Sequence, residues 1–365
     1  MKIVVTGTRG IPGIQGGVET HCQHLYPRLA AMGHDVTVIR RSCYVDEADS
    51  CGESYQGVHI ADVFAPRKKS LEAIVHTFLA VVKARRMNPD VLHIHAVGPS
   101  LMTPLARLLG MKTVVTNHGP DYERQKWGRL ARFMLKTGER MGAKFANAVI
   151  VISQPIADTL ARLYGRRDTD LVYNGVPAPK KAATTEYIES LGLEKGRYVV
   201  ALGRLVPEKR FDDLIRAFVK AAPEGYKLVI AGESDHPDRY SEELHRLADD
   251  NGAVRTGFIK GEKLNELMSH AALFVLPSSH EGLPISLLEA MSYDLDVLAS
   301  DIPANRIKQL RDDDFFAVGD IDTLAVKLRE RLHSDGASPR SYDLTPYDWD
   351  HIARQTEAIY RRIAR

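Results

Sequence analysis

The chain has 365 residues, of which 44% are hydrophobic, 26% charged and 7% aromatic, a profile that excludes collagen-like, low-complexity and wholly disordered classes. At roughly 100 to 200 residues per domain the length points to two domains, each with its own core. The net charge of +2 hides an asymmetry: residues 1–178 hold 23 Lys and Arg against 15 Asp and Glu, a net of +8, leaving 26 against 32, a net of −6, for the remainder. A basic half implies an anionic partner, whether a phosphorylated substrate, an anionic membrane surface or nucleic acid.

Three cysteines, Cys22, Cys43 and Cys51, form no C-x-x-C pair. Neither a disulfide framework nor a zinc ribbon is expected, and a reducing, cytoplasmic setting fits best. Met1-Lys2 runs straight into Ile3-Val4-Val5 and a glycine, too short a start for a signal peptide, and no apolar run approaches ~18 residues.

Strand-like runs at 3–5, 36–39, 91–94, 114–116 and 149–152 alternate with helix-period segments, and a second series follows at 199–202, 228–231, 273–276 and 297–299. This alternation predicts an α/β protein made of two doubly wound, Rossmann-like parallel-sheet domains. The first helix is marked by Val18, Cys22, Leu25, Leu29 and Met32 on one face and by Gly33 at its end. A Pro- and Lys-rich stretch, 176–185, reads as the interdomain linker, giving domains 1–178 and 179–346. A second loop-like stretch, 334–341, precedes a closing helix over 347–365 with Trp349, Ile352, Ile359 and Ile363 as its apolar positions.

The first strand opens into a glycine-rich loop, Gly7-Thr-Arg-Gly10-Ile-Pro-Gly13-Ile-Gln-Gly16-Gly17-Val-Glu19, ahead of a helix. Free N–H groups and the helix dipole there favour a phosphate or sugar; a tight structural turn is the alternative. The G-x-G-x-x-G pattern and the acidic residue about 20 positions on that a dinucleotide needs are both missing, which argues against NAD. His93 and His95 share one face of a strand, yet no third and fourth ligand stands at a zinc spacing, so they read as hydrogen-bonded core or cleft histidines. His118-Gly119 follows the next strand, at the end where open α/β sheets bind ligands; it is either functional or a loop histidine.

Residues 124–144 carry Arg124, Lys126, Arg129, Arg132, Lys136, Arg140 and Lys144 against the single acid Glu139, interleaved with Trp127, Leu130, Phe133, Met134 and Leu135. Such a segment suits an anionic membrane surface or is simply a solvated helix face. No nucleic-acid-binding module accompanies it, so nucleic acid is not expected.

In the second half, Gly203-Arg204 follows a strand and Lys209 stands five residues further on, a combination suited to a diphosphate. Glu281-Gly282-Leu283-Pro284 lies in a loop after another strand, with Glu289 two turns into the next helix. The first carboxylate can meet a ligand at the helix mouth while the second accepts hydrogen bonds from a diol deeper along it; Gly282 lets backbone N–H groups approach closely.

At these positions the chain resembles the retaining glycosyltransferases of family 4, which have the GT-B fold. Glu281 to Glu289 matches the family's E-x7-E motif. The resemblance extends to Gly203-Arg204 with Lys209, Asn174-Gly175, Gly257-Phe258, Gly16-Gly17-Val18-Glu19, His118-Gly119 and the closing Tyr347-Asp-Trp349 segment. It implies two domains facing each other across a cleft, with the last helix crossing back to the first. The first domain would hold the acceptor and the second a nucleotide-sugar.

Residue by residue, the resemblance implies Arg204 and Lys209 on the diphosphate beside Gly203, Glu289 on the ribose and the Gly257-Phe258 region near the base. Glu281 with the backbone of Gly282, Leu283 and Pro284 would hold the sugar hydroxyls. Gly16, Gly17 and Glu19 would lie near the diphosphate or acceptor, and His118 near the donor sugar. His118, Glu281, Arg204 and Lys209 would form the catalytic set, with no metal and no cofactor beyond the donor. The segment 121–128 resembles members that build bacterial surface polysaccharides on lipid carriers. The competing expectations are a nucleotide-sugar epimerase on the same fold and a non-enzymatic module reading anionic lipid. After Met291 and after the following strand, Ser292-Tyr-Asp-Leu-Asp-Val297 and Asp301-Ile-Pro-Ala304-Asn305 depart from the family pattern.

Overall fold

The structure, a computed structural model, describes residues 1–44, 52–66, 72–123, 128–234, 237–333 and 340–365. Cys51, Arg124, Lys126, Trp127 and most of the 334–341 loop lie outside the described residues. Two compact units emerge, Met1–Gly175 with Pro346–Arg365, and Val176–Thr345.

The first unit is built on an eight-stranded sheet: β1 (Lys2–Thr6), β2 (Asp35–Arg41), β3 (Ser54–Tyr55), β4 (Val58–Val63), β5 (Val91–His95), β6 (Thr113–Asn117), β7 (Ala148–Val151) and β8 (Thr169–Leu171). Their order is β3-β4-β2-β1-β5-β6-β7-β8; all pairs are parallel except β3 with β4. Helices α1 (Gly17–Ala31), α2 (Glu72–Met87), α3 (Thr103–Leu108), α4 (Arg129–Phe145) and α5 (Gln154–Tyr164) connect the strands. Continuous apolar strands such as Ile3-Val4-Val5, all fully buried, are what a sheet covered on both faces requires.

The second unit carries α6 (Glu186–Ser190), β9 (Tyr198–Leu202), α7 (Phe211–Ala221), β10 (Lys227–Ala231), α8 (Arg239–Asp250), β11 (Val254–Gly257), α9 (Glu262–His270), β12 (Leu273–Leu276), α10 (Ile285–Ser292), β13 (Asp296–Ser300), β14 (Phe315–Phe316) and α11 (Ile321–His333). Its sheet runs β11-β10-β9-β12-β13-β14, and separate apolar clusters cover its two faces. In each sheet the strand order reverses at one point, beside β1 and β5 in the first and β9 and β12 in the second. The crevice at the carboxyl ends of such strands is where this architecture binds ligands.

A last helix, Trp349–Ala364, belongs to the first unit. Trp349, Ile352, Ala353, Ile359 and Tyr360 join Leu25, Tyr26 and Leu29 of α1 in one buried cluster. Within the first unit Gly175 lies against the Trp349 indole, where a Cβ would collide. Lys181, Ala182 and Thr184 of the 176–185 stretch are bonded to residues of the second unit. Thr184 donates to Glu266 (2.7 Å), which also accepts the backbone N–H groups of Tyr187 and Ile188 that open α6. Recounted on these units, charge is 27 − 18 = +9 for the first and 22 − 29 = −7 for the second.

Candidate active site

In the second unit, β9 delivers Gly203 and Arg204 to the switch point, and the turn Pro207–Lys209 brings Lys209 back beside Gly203. The loop after β12 is stitched to this turn, since the Ser279 backbone N–H donates to the Glu208 carbonyl at 2.8 Å. That stitch brings two separate sequence features together: Lys209 Nζ lies 2.7 Å from Glu281 Oε1. Gly282 follows, then buried Leu283 and Pro284, the residue before the first turn of α10. Glu289 sits on α10 with no side-chain partner among the described residues, and burial pushes its carboxyl up to about 7. Gly257 ends β11 and its carbonyl accepts from Gly232 N–H at 2.9 Å, while Phe258 is exposed.

The two departures from the family pattern have structural partners. Asp294 pairs with Lys181 (2.6 Å), Asp296 at the start of β13 pairs with Arg331 and Arg340 (2.8 and 2.9 Å), and Asp301 pairs with Arg306 (2.7 Å). Asn305 is buried and donates to the Ser300 carbonyl at 2.9 Å.

In the first unit, Gly16 precedes α1 at φ +150, where a side chain would strike Glu19 and Arg9; Gly17 is the helix's first residue. The buried Glu19 carboxylate is turned inward. It accepts from the Thr8 hydroxyl (3.2 Å), the Arg9 backbone N–H (2.9 Å) and the Arg9 guanidinium (3.2 Å). Burial alone would raise its pKa, but Arg9 outweighs it and holds the carboxyl at about 2. Glu19 thus braces the glycine loop from beneath.

His118, in the loop after β6, anchors a chain of rings. Its Nε2 lies 2.9 Å from His95 Nδ1, and His93 and His95 stack with centroids 4.2 Å apart. The Tyr26 hydroxyl touches both His93 Nδ1, at 3.0 Å, and His95 Nε2. The Tyr360 hydroxyl also reaches His93 Nδ1, at 2.5 Å, and His93 Nε2 lies 2.7 Å from Thr116 Oγ1. His21 meets Asn174 at 3.0 Å and packs edge-on to His118 and Trp349. Burial pushes all four rings down, His21 and His118 to about 3 and His93 and His95 well below the usual histidine range. Each is therefore a neutral ring with one N–H. Among the described residues no group of three or more His, Cys, Asp or Glu is arranged to hold a metal ion.

Sequence reasoning missed Glu139, a lone acid in a basic run. It is buried and accepts from Asn117 (2.9 Å), Tyr122 (3.0 Å) and Tyr164 (2.9 Å), while Asn117 accepts the Gly119 N–H at 2.9 Å. Glu139 thereby ties α4 to the His118-Gly119 loop. The small residues Gly138 and Gly142 beside it, both buried, are the signal that this face of α4 packs inward. On its outer face Leu130 and Phe133 are 73% and 68% exposed. Phe133, Lys136, Arg140, Arg162 and Leu163 line a cavity of about 530 Å³ in this unit. No helix among the described residues is long and apolar enough to cross a membrane.

Two parallel α/β sheets with ligand-binding switch points and this set of motifs define a GT-B glycosyltransferase. Residues 15–178 match the model of Glycosyltransferase Family 4 and residues 183–343 that of Glycosyl transferases group 1; the chain belongs to glycosyltransferase family 4 and is a hexosyl-transferring enzyme that uses a nucleotide-sugar donor. Among its relatives is the alpha-maltose-1-phosphate synthase of Mycolicibacterium smegmatis, 27% identical with both chains wholly covered. Solved structures of similar fold include Anabaena HepE in complex with UDP and glucose, 18% identical with TM-score 0.80, covering 99% of this chain and 100% of that one. WaaG, a glycosyltransferase involved in lipopolysaccharide biosynthesis, matches at 16% identity and TM-score 0.72, covering 100% and 99%.

Proposed function

We propose that this enzyme is a retaining glycosyltransferase that moves a hexose from a nucleoside-diphosphate sugar to a lipid-linked or glycan acceptor. Its product would be a bacterial exopolysaccharide, capsule or lipopolysaccharide. The observation that carries the reading is the juxtaposition of Lys209 and Glu281 at the switch point of the second unit, with the Glu289 carboxyl, which has no hydrogen-bond or ion-pair partner among the described residues, on the following helix.

Arg204 and Lys209 neutralise the diphosphate, Glu289 accepts the ribose hydroxyls, and Glu281 with the Gly282–Pro284 backbone orients the sugar. Lys209 has three N–H donors and spends one on Glu281, so the pair can serve phosphate and sugar together. Gly257 and Phe258 flank the base. His118 hydrogen-bonds the donor sugar, while Gly16 and Gly17 offer backbone N–H groups at the start of α1, held by Glu19. The acceptor oxygen attacks the anomeric carbon on the face from which the diphosphate leaves. The C1–O bond to phosphate breaks as the new glycosidic bond forms, and the acceptor's proton passes to the departing diphosphate oxygen. Catalysis is then mainly stabilisation of charge growing on that diphosphate.

The acceptor side is supported by the exposed cationic and apolar face of α4, which suits an anionic membrane surface on the inner face of the cell membrane. Removing Lys136 and Arg140 together should lower partitioning onto phosphatidylglycerol vesicles roughly 30-fold, at about 1 kcal/mol per basic side chain, as read by co-sedimentation. The central test is a thermal-shift panel of nucleotide-sugars followed by NMR of the product formed on a lipid-linked acceptor. One donor should raise the melting temperature and be transferred with its anomeric configuration kept. An inverted product would overturn retention; conversion of the donor alone into its epimer would replace the transferase with an epimerase.

A further inference from the structure

The cavity between α4 and α5 brings together cations that the sequence keeps apart. Lys136 and Arg140 line it from α4 and Arg162 from α5, the last lying outside the basic run 124–144. Arg140 and Arg162 have no hydrogen-bond or ion-pair partner among the described residues, and Lys136 has only the face of the Tyr122 ring, at 5.2 Å. Of the acids, Glu123 alone lines the cavity. Asp158, one turn before Arg162, is occupied by Gln154 at 2.8 Å, and Glu139 is buried with three donors of its own. Three cations against one acid leave the cavity with an excess of two positive charges, and a concave site focuses that field on an incoming anion.

The rest of the lining suits an amphiphile. Phe133 and Leu163, 68% and 53% exposed, supply apolar surface beside the cations, and Leu130 continues it one turn earlier on α4. Arginine forks grip phosphate oxygens in pairs, so Arg140 and Arg162 suit two linked phosphates. An apolar chain leaving those phosphates would cover side chains that water now touches. A bare phosphate would leave the apolar surface wet, and a hydrocarbon alone would leave the cations unpaired. Pro120 and Tyr122 also line the cavity, on the loop that begins at His118-Gly119. Glu139 ties Tyr122 to Asn117, which in turn accepts the Gly119 N–H. The groove thus adjoins the His118 loop.

We propose that this groove holds the diphosphate of the lipid-linked acceptor. Lys136, Arg140 and Arg162 take its phosphate oxygens, and the first carbons of the lipid lie on Phe133 and Leu163. A diphosphate diester is doubly charged and matches the excess in the groove, whereas the phosphodiester of a bulk phospholipid is singly charged. The identity of the occupant rests on the proposed lipid-linked acceptor; the affinity of the groove for a lipid diphosphate does not.

The test is calorimetric titration of the full chain with the geranyl methyl diester of diphosphate, which has both charges and an apolar chain but no sugar. Arg140 and Arg162 are exposed, so their substitution disturbs the fold little. Arg140→Gln and Arg162→Gln should each weaken binding roughly tenfold to a hundredfold, and Arg162→Lys should do so less. Inorganic diphosphate, and dihexanoyl phosphatidylglycerol below its micelle concentration, should both bind more weakly than the diester, by roughly tenfold. A diazirine at the end of the geranyl chain should label peptides from 129–145 or 154–164. Unchanged affinity in both glutamine variants, or labelling confined to the second unit, would overturn the proposal. Equal affinity for either control would also overturn it, making the groove a site for free phosphate or for bulk lipid. Failure of the underlying reading has a different signature. The diester would bind and depend on Arg140 and Arg162, yet NMR of the product would show transfer to a soluble glycan, which keeps a lipid-diphosphate site and faults the acceptor.

Discussion

Glu289 shows how a residue proposed to bind ligand strains the fold that holds it. Its carboxyl has an ordinary value of 4.5 and burial raises it to about 7, so the folded state resists its ionisation. The resulting destabilisation is absent below pH 4.5, grows as pH rises and is complete above about 7. Glu289→Gln should therefore stabilise the ligand-free protein at pH 8, by at most about 3 kcal/mol, and leave it unchanged at pH 4, as urea unfolding would record. In the proposed site the ionised form accepts both ribose hydroxyls. Nucleoside-diphosphate affinity should thus rise from pH 6 to pH 8 in the wild type and lose that rise in Glu289→Gln, by calorimetry. For Arg204 the expected effect is on the reaction: Arg204→Ala should lower kcat/KM by roughly 10² to 10³, about 3 to 4 kcal/mol of transition-state stabilisation. A folded variant with unchanged turnover would remove Arg204 from the mechanism.

At the scale of elements, α4 joins an outward cationic face to an inward carboxylate. Glu139 satisfies three donors from three different elements, so Glu139→Ala leaves them all unpaired and should cost roughly 3 to 5 kcal/mol in urea unfolding. Glu139→Gln should cost less, since tyrosine hydroxyls can rotate to accept as well as donate. This anchoring shows where sequence was legible and where it was not. The central strands announced themselves through apolar runs, but β4, with His59 and Asp62 among its apolar residues, and the short edge strands β3, β8, β11 and β14 have too little buried length to leave a pattern. The motif residues of the second unit were legible because loop, glycine and carboxylates are close in sequence. Tyr26, His21, Glu139 and Tyr360 were not, because their partners are separated by up to 267 residues and no spacing encodes a contact at that distance.

For the molecule as a whole, the buried histidines make the first unit the acid-sensitive one. His21, His24, His93, His95 and His118 are all held below the ordinary value of 6.5 by burial. Their neutral state favours the fold fully above that pH, and stability is lost as pH falls through 6.5 toward about 3, by up to about 1.4 kcal/mol per pH unit for each. Both tryptophans, Trp127 and Trp349, fall within the first unit's stretches of sequence. On acidification the fluorescence change should therefore precede the loss of far-UV circular dichroism, to which both units contribute. Coincident transitions would refute this order.

The place of Trp349 in the first unit's core also bears on synthesis. A ribosome must translate all of Val176–Thr345 before residues 346–365 can fill the gap beside α1. The second unit, contiguous in sequence, has every residue of its own cores as soon as it leaves the exit tunnel. The nascent chain therefore completes its units in the opposite order to their beginnings, and until it does so the apolar face of α1 stands open to chaperones and proteases.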